Sequence, residues 1–202
     1  MRLRAREDPD GALVERFRDG DERAFVELVA RHHASMLRLA RTFVASPVVA
    51  EEVVQDTWLG VLRGIDRFAG RSTFRTWLFA ILANRARTTG VRERREIPLE
   101  LAEPAVAAAR FDPAGAWSEP PLQWADAVDD RLDAGALAGA LRAALDALPA
   151  RQRAVVLLRD VDGLTSAEVC RVLEISEANQ RVLLHRGRSH LRGALEEIVA
   201  SG

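Results

Sequence analysis

Apolar residues return at three- and four-residue steps along most of this chain, with polar residues between them, the pattern of helices that each bury one face. Leu13, Val14 and Phe17 make a short first face, which Gly20 ends. Asp21 is placed to cap a second helix with its face at Phe25, Leu28, Val29, His32, Met36, Leu39, Ala40 and Phe43. Ser46-Pro47 is a start signal, a capping side chain followed by a proline where no amide is needed. The third helix runs to about Asp66; Val53, Thr57, Val61 and Ile65 form one row and Val54, Trp58 and Leu62 the next. A loop, RFAGR at 67–71, leads to a helix that Ser72 is expected to cap, with Phe74, Trp77, Leu78, Ile81 and Leu82 as its apolar residues. The first ten residues are charged and expected to fray.

The periodicity stops at Ile97-Pro98. From there to Asp133 the chain carries Pro98, Pro104, Pro113, Pro120 and Pro121 and mainly acidic charge, the composition of a linker. Trp117 and Trp124 within it suggest that part of the linker lies against a surface. Helical spacing resumes at Leu132, continues through Leu137, Leu141, Leu145 and Leu148, and meets Pro149. ARQRAVVLLRDV is a second short helix, closed by the turn Asp162-Gly163. Thr165 and Glu168 then have capping-box spacing, and Val169, Val172 and Leu173 give that helix its buried face. Ile175 breaks it and Ser176 caps a longer helix, in which Leu184, Leu191, Leu195 and Ile198 share one side. The expected fold is all-α: two small helical domains, 13–96 and 134–202, joined by a proline-rich acidic linker at 97–133 and preceded by a tail at 1–12.

Composition sharpens this picture in a few places. Net charge is −1, so whole-chain charge does not announce nucleic acid; its distribution does. The final helix carries Arg181, Arg186, Arg188 and Arg192 with no acid from Arg181 to Arg192. Its side opposite the leucines presents Arg181, Val182, His185, Arg186 and Ser189, the arrangement of a helix that enters a major groove. The helix after Ser72 interleaves arginines with Phe74 and Trp77, behind a basic loop with a glycine, which suits an unstacked strand. In the third helix Glu51, Glu52, Gln55 and Asp56 lie off the core face beside Trp58, reading either as a solvated acidic face or as a docking surface with an apolar rim.

There is no lysine, which fits a GC-rich genome and removes any Walker-type phosphate loop. Cys170 is the single cysteine; it reads as a small core residue, and neither a disulfide within the chain nor a cysteine zinc site is expected. His32 and His33 are adjacent and diverge on a helix, so His32 reads as a core-edge residue and His33 as a solvated one. No HExxH, GxSxG or glycine-rich phosphate loop is present, and neither catalysis nor a cofactor is expected. With no signal peptide and no membrane-length apolar run, the expected location is cytoplasmic, without membrane insertion.

Two blocks, 50–87 (AEEVVQDTWLGVLRGIDRFAGRSTFRTWLFAILANRAR) and 148–192 (LPARQRAVVLLRDVDGLTSAEVCRVLEISEANQRVLLHRGRSHLR), resemble regions 2 and 4 of extracytoplasmic-function (ECF) RNA polymerase sigma factors. The resemblance implies a transcription initiation factor. Glu52, Gln55, Asp56, Trp58 and Leu62 would bind core RNA polymerase at its β′ subunit, with β as a further contact. Phe68, Arg71, Ser72, Phe74, Arg75, Asn84 and Arg87 would recognise and open the −10 promoter element. Arg181, Val182, His185 and Arg186 would read the −35 element, with Arg188 on phosphate. An anti-sigma factor, able to hold the protein near the membrane, is the further partner implied. The chain departs from the family pattern at Asn179-Gln180, where Thr-Val is usual, at Glu174, often glycine, and at Thr88, commonly aspartate. Gln180 falls near the packing face. Competing readings are a helix-turn-helix regulator that needs no polymerase and an adaptor that binds proteins only. The first leaves the Trp58 surface without a role and the second leaves the arginine face without one.

Overall fold

The computed structural model describes residues 8–96 and 134–201. The helices are α1 (Gly11–Arg18), α2 (Glu22–Ala40), α3 (Pro47–Gly64), α4 (Phe74–Glu96), α5 (Ala134–Ala147), α6 (Ala150–Val156), α7 (Ser166–Leu173) and α8 (Glu177–Ser201). No strand occurs among the described residues. Trp117 and Trp124 lie outside them.

Most helix starts follow local chemistry. Asp21 accepts from the Arg23 and Ala24 amides, and Ser46 accepts from Val49 ahead of Pro47. Thr165 and Glu168 close a full capping box. The start of α4 differs from expectation. Thr73, not Ser72, caps it, its hydroxyl accepting from the Thr76 amide at 3.2 Å. The free amide of Phe74 donates to the Asp8 carboxylate at 2.6 Å, across 66 residues of chain.

That contact overturns the expected fraying for residues 8–10. Asp10 is fully buried: His32 Nε2 donates to one carboxylate oxygen at 2.9 Å and Arg31 Nη1 to the other at 2.5 Å. Its own amide donates to Asp8 at 3.1 Å. Burial alone would raise the Asp10 carboxyl, but the bonds and charges of His32 and Arg31 outweigh it and hold the group below its ordinary value. His32 is buried as expected at the core edge, against Phe74 and Phe79, while His33 is half-exposed beside Glu51.

The core is one continuous cluster. It begins at Leu13 and Val14, takes in Leu28, Met36 and Leu39 of α2 and Val53, Val54 and Val61 of α3, and passes through α4. It continues into Ala154, Val155, Leu158, Val169, Val172 and Leu173 of the C-terminal half. Helix α4 is buried on more than one side: Phe74, Leu78, Phe79, Leu82, Ala83 and Ala86 are all fully covered. Two glycines permit close approaches. A side chain at Gly90 would place its Cβ 2.0 Å from the Phe43 carbonyl oxygen, and one at Gly187 would meet Val156 at 2.6 Å. Cys170 is only partly buried, so it is less a core residue than its sequence position suggests.

After α6 the chain widens into a π turn, Leu157–Val161, closed by the Asp162 amide donating to the Leu157 carbonyl at 2.8 Å. The turn delivers Asp162 inward, where it is buried.

Candidate nucleic-acid interface

Helices α7 and α8 form the helix-turn-helix. The turn depends on Glu174, at φ 54° and ψ 48°, the sole non-glycine residue with positive φ among those described. A left-handed residue of this kind costs about 1–2 kcal/mol, which explains why glycine is often chosen there. Ser176 accepts from the Asn179 amide at 3.2 Å and starts α8. Arg181, Val182, His185 and Arg186 are all exposed on one side of α8, as the spacing predicts. Arg188 is already oriented, forming a bidentate pair with Asp160 at 2.6 and 3.0 Å. Gln180 turns inward to 1% exposure, and its amide nitrogen has no partner among the described residues.

The second basic element is the loop before α4. Arg18 donates to the carbonyls of Ile65, at 3.1 Å, and Phe68, and its guanidinium lies 5.7 Å from the Phe68 ring centre. It thereby holds the loop in shape. Gly70 supplies a positive φ of 64°. The loop and α1 enclose an open cleft of about 640 Å³, lined in part by Asp8, Arg18, Phe68, Gly70 and Ser72. Phe68 and Phe74 are buried, and Arg71 is exposed. The structure therefore separates the seven expected −10 residues into groups. Phe68 and Phe74 build the scaffold, Arg71 and Ser72 sit at the loop, and Arg75, Asn84 and Arg87 lie farther along α4. These last three touch the C-terminal half: Arg75 donates to the Asp162 carbonyl, Asn84 to Glu174 at 3.1 Å, and Arg87 to the Leu173 carbonyl at 2.9 Å. Sequence reasoning missed Arg18 and Asp8. Their partners are remote in sequence, and no local spacing signals them.

On α3 Glu52, Gln55, Asp56, Leu59 and Leu62 are exposed, together with Pro47, Val48 and Arg63 nearer its ends. Leu59 and Leu62 are 47% and 45% exposed, a pair of apolar residues beside the acids. Trp58 points the other way. It is buried edge-on against Phe25, with ring centres 5.5 Å apart. Its part is to fix α3 against α2, and Leu59 supplies the apolar rim in its place.

Residues 28–96 match the family model for Sigma-70 region 2, and residues 138–191 match that for Sigma-70, region 4. This chain belongs to the sigma-70 family. The sigma factor is 28% identical over 190 residues to the ECF RNA polymerase sigma-E factor of Escherichia coli (strain K12), covering 94% of this chain and 96% of that one. It is 38% identical over 159 residues to the ECF RNA polymerase sigma factor SigG of Mycobacterium tuberculosis, covering 71% of this chain but 41% of that longer protein. Among solved structures, CnrH in complex with the cytosolic domain of CnrY shares the fold at a TM-score of 0.59 and 24% identity, covering 93% of this chain and 97% of CnrH. The sigma factor RpoE of Bartonella quintana, bound to the anti-sigma factor NepR, shares it at 0.60 and 20%, covering 85% and 96%. This sigma factor is a transcription initiation factor of the ECF kind, with a DNA-binding helix-turn-helix in its region 4. Among the described residues no helix is long and apolar enough to cross a membrane, and no cluster of side chains suits a metal ion.

Proposed function

We propose that the protein binds core RNA polymerase through the exposed side of α3 and directs it to promoters with two DNA-reading elements. Glu52, Gln55, Asp56, Leu59 and Leu62 meet the polymerase, with Trp58 holding the helix in place. The loop and start of α4 take the −10 element: Arg71 and Arg75 neutralise phosphate, and the cleft beside Phe68 and Ser72 receives an unstacked base. Unstacking costs a few kcal/mol, which basic flanks and a pocket offset. Arg181, Val182, His185 and Arg186 of α8 read the −35 element in the major groove, and a bidentate arginine–guanine contact there discriminates by about 1–3 kcal/mol. The domains divide at 13–96 and 134–202, with the linker at 97–133 between them. The protein acts by binding alone, and an anti-sigma factor restrains it.

The observation that carries this reading is the order of two sigma-type regions, the second with an exposed basic face on the helix after its turn. Transcription in vitro with purified core polymerase tests it. Promoter-dependent initiation on genomic fragments is expected only when this chain is added. Tight duplex binding by the chain alone with no initiation would favour a polymerase-independent regulator. Binding to proteins without any DNA binding would favour an adaptor.

A further inference from the structure

Both ends of the loop that leads into α4 are held by one short stretch near the start of the chain. At the entry, Arg18 commits four of the five N–H groups of an arginine: Nε and Nη2 donate to the Ile65 carbonyl at 3.3 and 3.1 Å, Nη2 also to the Phe68 carbonyl, and Nη1 to Glu15 at 2.8 Å. Its guanidinium lies over the Phe68 ring, which packs in turn on Phe74 and Trp77. At the exit, Asp8 accepts from the amide of Phe74, the first residue of α4, where a carboxylate also suits the positive end of the helix. Between the two pins Ala69, Gly70 and Arg71 are exposed, and among the described residues no loop hydrogen bond reaches them. The stretch that supplies both pins is itself anchored. Asp10 is buried on His32 and Arg31, and Leu13 and Val14 sit in the core.

We propose that residues 8–18 form a clamp on the −10 loop, with Arg18 and Asp8 as its positioning residues. They fix where the loop leaves Phe68 and where it rejoins Phe74, so the cleft is already shaped when an unstacked base arrives. This rests on the assignment of the loop and the start of α4 to the −10 element. A loop ordered in advance loses little freedom on capture, whereas a loop pinned at one end must be ordered by the DNA itself. The clamp therefore acts on one base of the −10 element, and leaves core binding by α3 and −35 reading by α8 alone.

Two measurements test it. In the first, the full chain in a Cys170→Ser background carries a nitroxide at Ala69→Cys in the loop or, as a control, at Arg41→Cys at the end of α2, both exposed positions. Continuous-wave spectra of the free protein report nanosecond motion at each site. Arg18→Ala and Asp8→Ala should each narrow the lines at 69 and leave those at 41 unchanged. Asp8→Asn keeps an acceptor for the Phe74 amide and should match the parent. In the second, holoenzyme made with each unlabelled variant binds a genomic promoter fragment that the parent holoenzyme transcribes, with an abasic site at each −10 position in turn. At the position where the parent loses most, about tenfold, both alanine variants should lose less than about threefold, because only the intact promoter then bears the cost of ordering the loop. Asp8→Asn should keep the parent's penalty, and −35 preference and core affinity should hold in all three variants. Unchanged spectra at 69 in both alanine variants, or equal narrowing at 41, overturn the clamp. Narrowed spectra with the parent's abasic penalty intact overturn its part in base capture. So does a penalty lost together with −35 preference and core affinity, which would make Arg18 and Asp8 supports of the whole domain. The spectral arm needs neither DNA nor polymerase, so it decides the clamp even where no genomic fragment is transcribed, a result that defeats the promoter assignment instead.

Discussion

Asp10→Ala is expected to be among the most damaging single changes in the N-terminal half. It removes the acceptor of a buried histidine and the partner of Arg31 together. Hydrogen bonds to charged groups are worth about 1.5–3 kcal/mol, and breaking a buried pair by deleting one partner costs about 3–5 kcal/mol. The Arg31 side chain is 47% exposed, so water replaces most of its share, which is discounted to under about 1 kcal/mol. A net loss of about 3 kcal/mol follows, most of it from His32 stranded against Phe74 and Phe79. Urea unfolding followed by tryptophan fluorescence measures it. Asp10→Ala/His32→Leu removes both polar groups and should recover more than half of the loss. The pH dependence has a definite sign. The folded-state carboxyl titrates below its ordinary value of about 4, so its stabilisation is fully present above that pH and disappears as pH falls through the lowered value. The difference between parent and Asp10→Ala should therefore shrink in acid. A loss below about 0.5 kcal/mol near neutral pH, or one that acid leaves unchanged, would refute the reasoning.

Three further outcomes are expected. Gly90→Ala forces a methyl group onto the Phe43 carbonyl, a backbone atom that cannot swing aside, and should cost about 3 kcal/mol or more; an unchanged thermal midpoint would contradict the close approach. Arg186→Ala should relax base preference at one −35 position by about 1–3 kcal/mol, read by competition among duplexes; a uniform loss across sequences would mean that it contacts phosphate only. Asp56→Ala/Leu62→Ala removes an acid and an exposed leucine from α3; affinity for core polymerase should fall while duplex binding by α8 holds, and parallel loss of both would sink the division of labour.

Local signals carried most of the fold. Asp21, Ser46-Pro47, the Thr165–Glu168 box and Ser176 each act within a few residues, so the chain's own order displays them. The inward position of Gln180 was legible by angle alone. What stayed hidden acts across long separations. Asp8 reaches Phe74 over 66 residues and Arg38 reaches Asp162 over 124, and no periodicity encodes such pairs. Trp58 shares a row with the exposed Leu62, yet only Trp58 finds Phe25 to cover it. A clue to the α4 contact was present: Phe74, Leu78, Phe79, Leu82 and Ala86 occupy more of the helix circumference than one neighbouring layer needs.

Because α4 and α7 belong to one chain, the carboxylates that meet Arg38, Arg75, Asn84 and Arg87 are present at an effective concentration set by the tether, not by the cell. A separate partner at this contact would be outnumbered when more sigma factor is made. A tethered one scales with it, copy for copy. The fraction of molecules that keep this contact would then be the same at low and high expression, and only a ligand that binds more tightly to molecules without it could change that fraction.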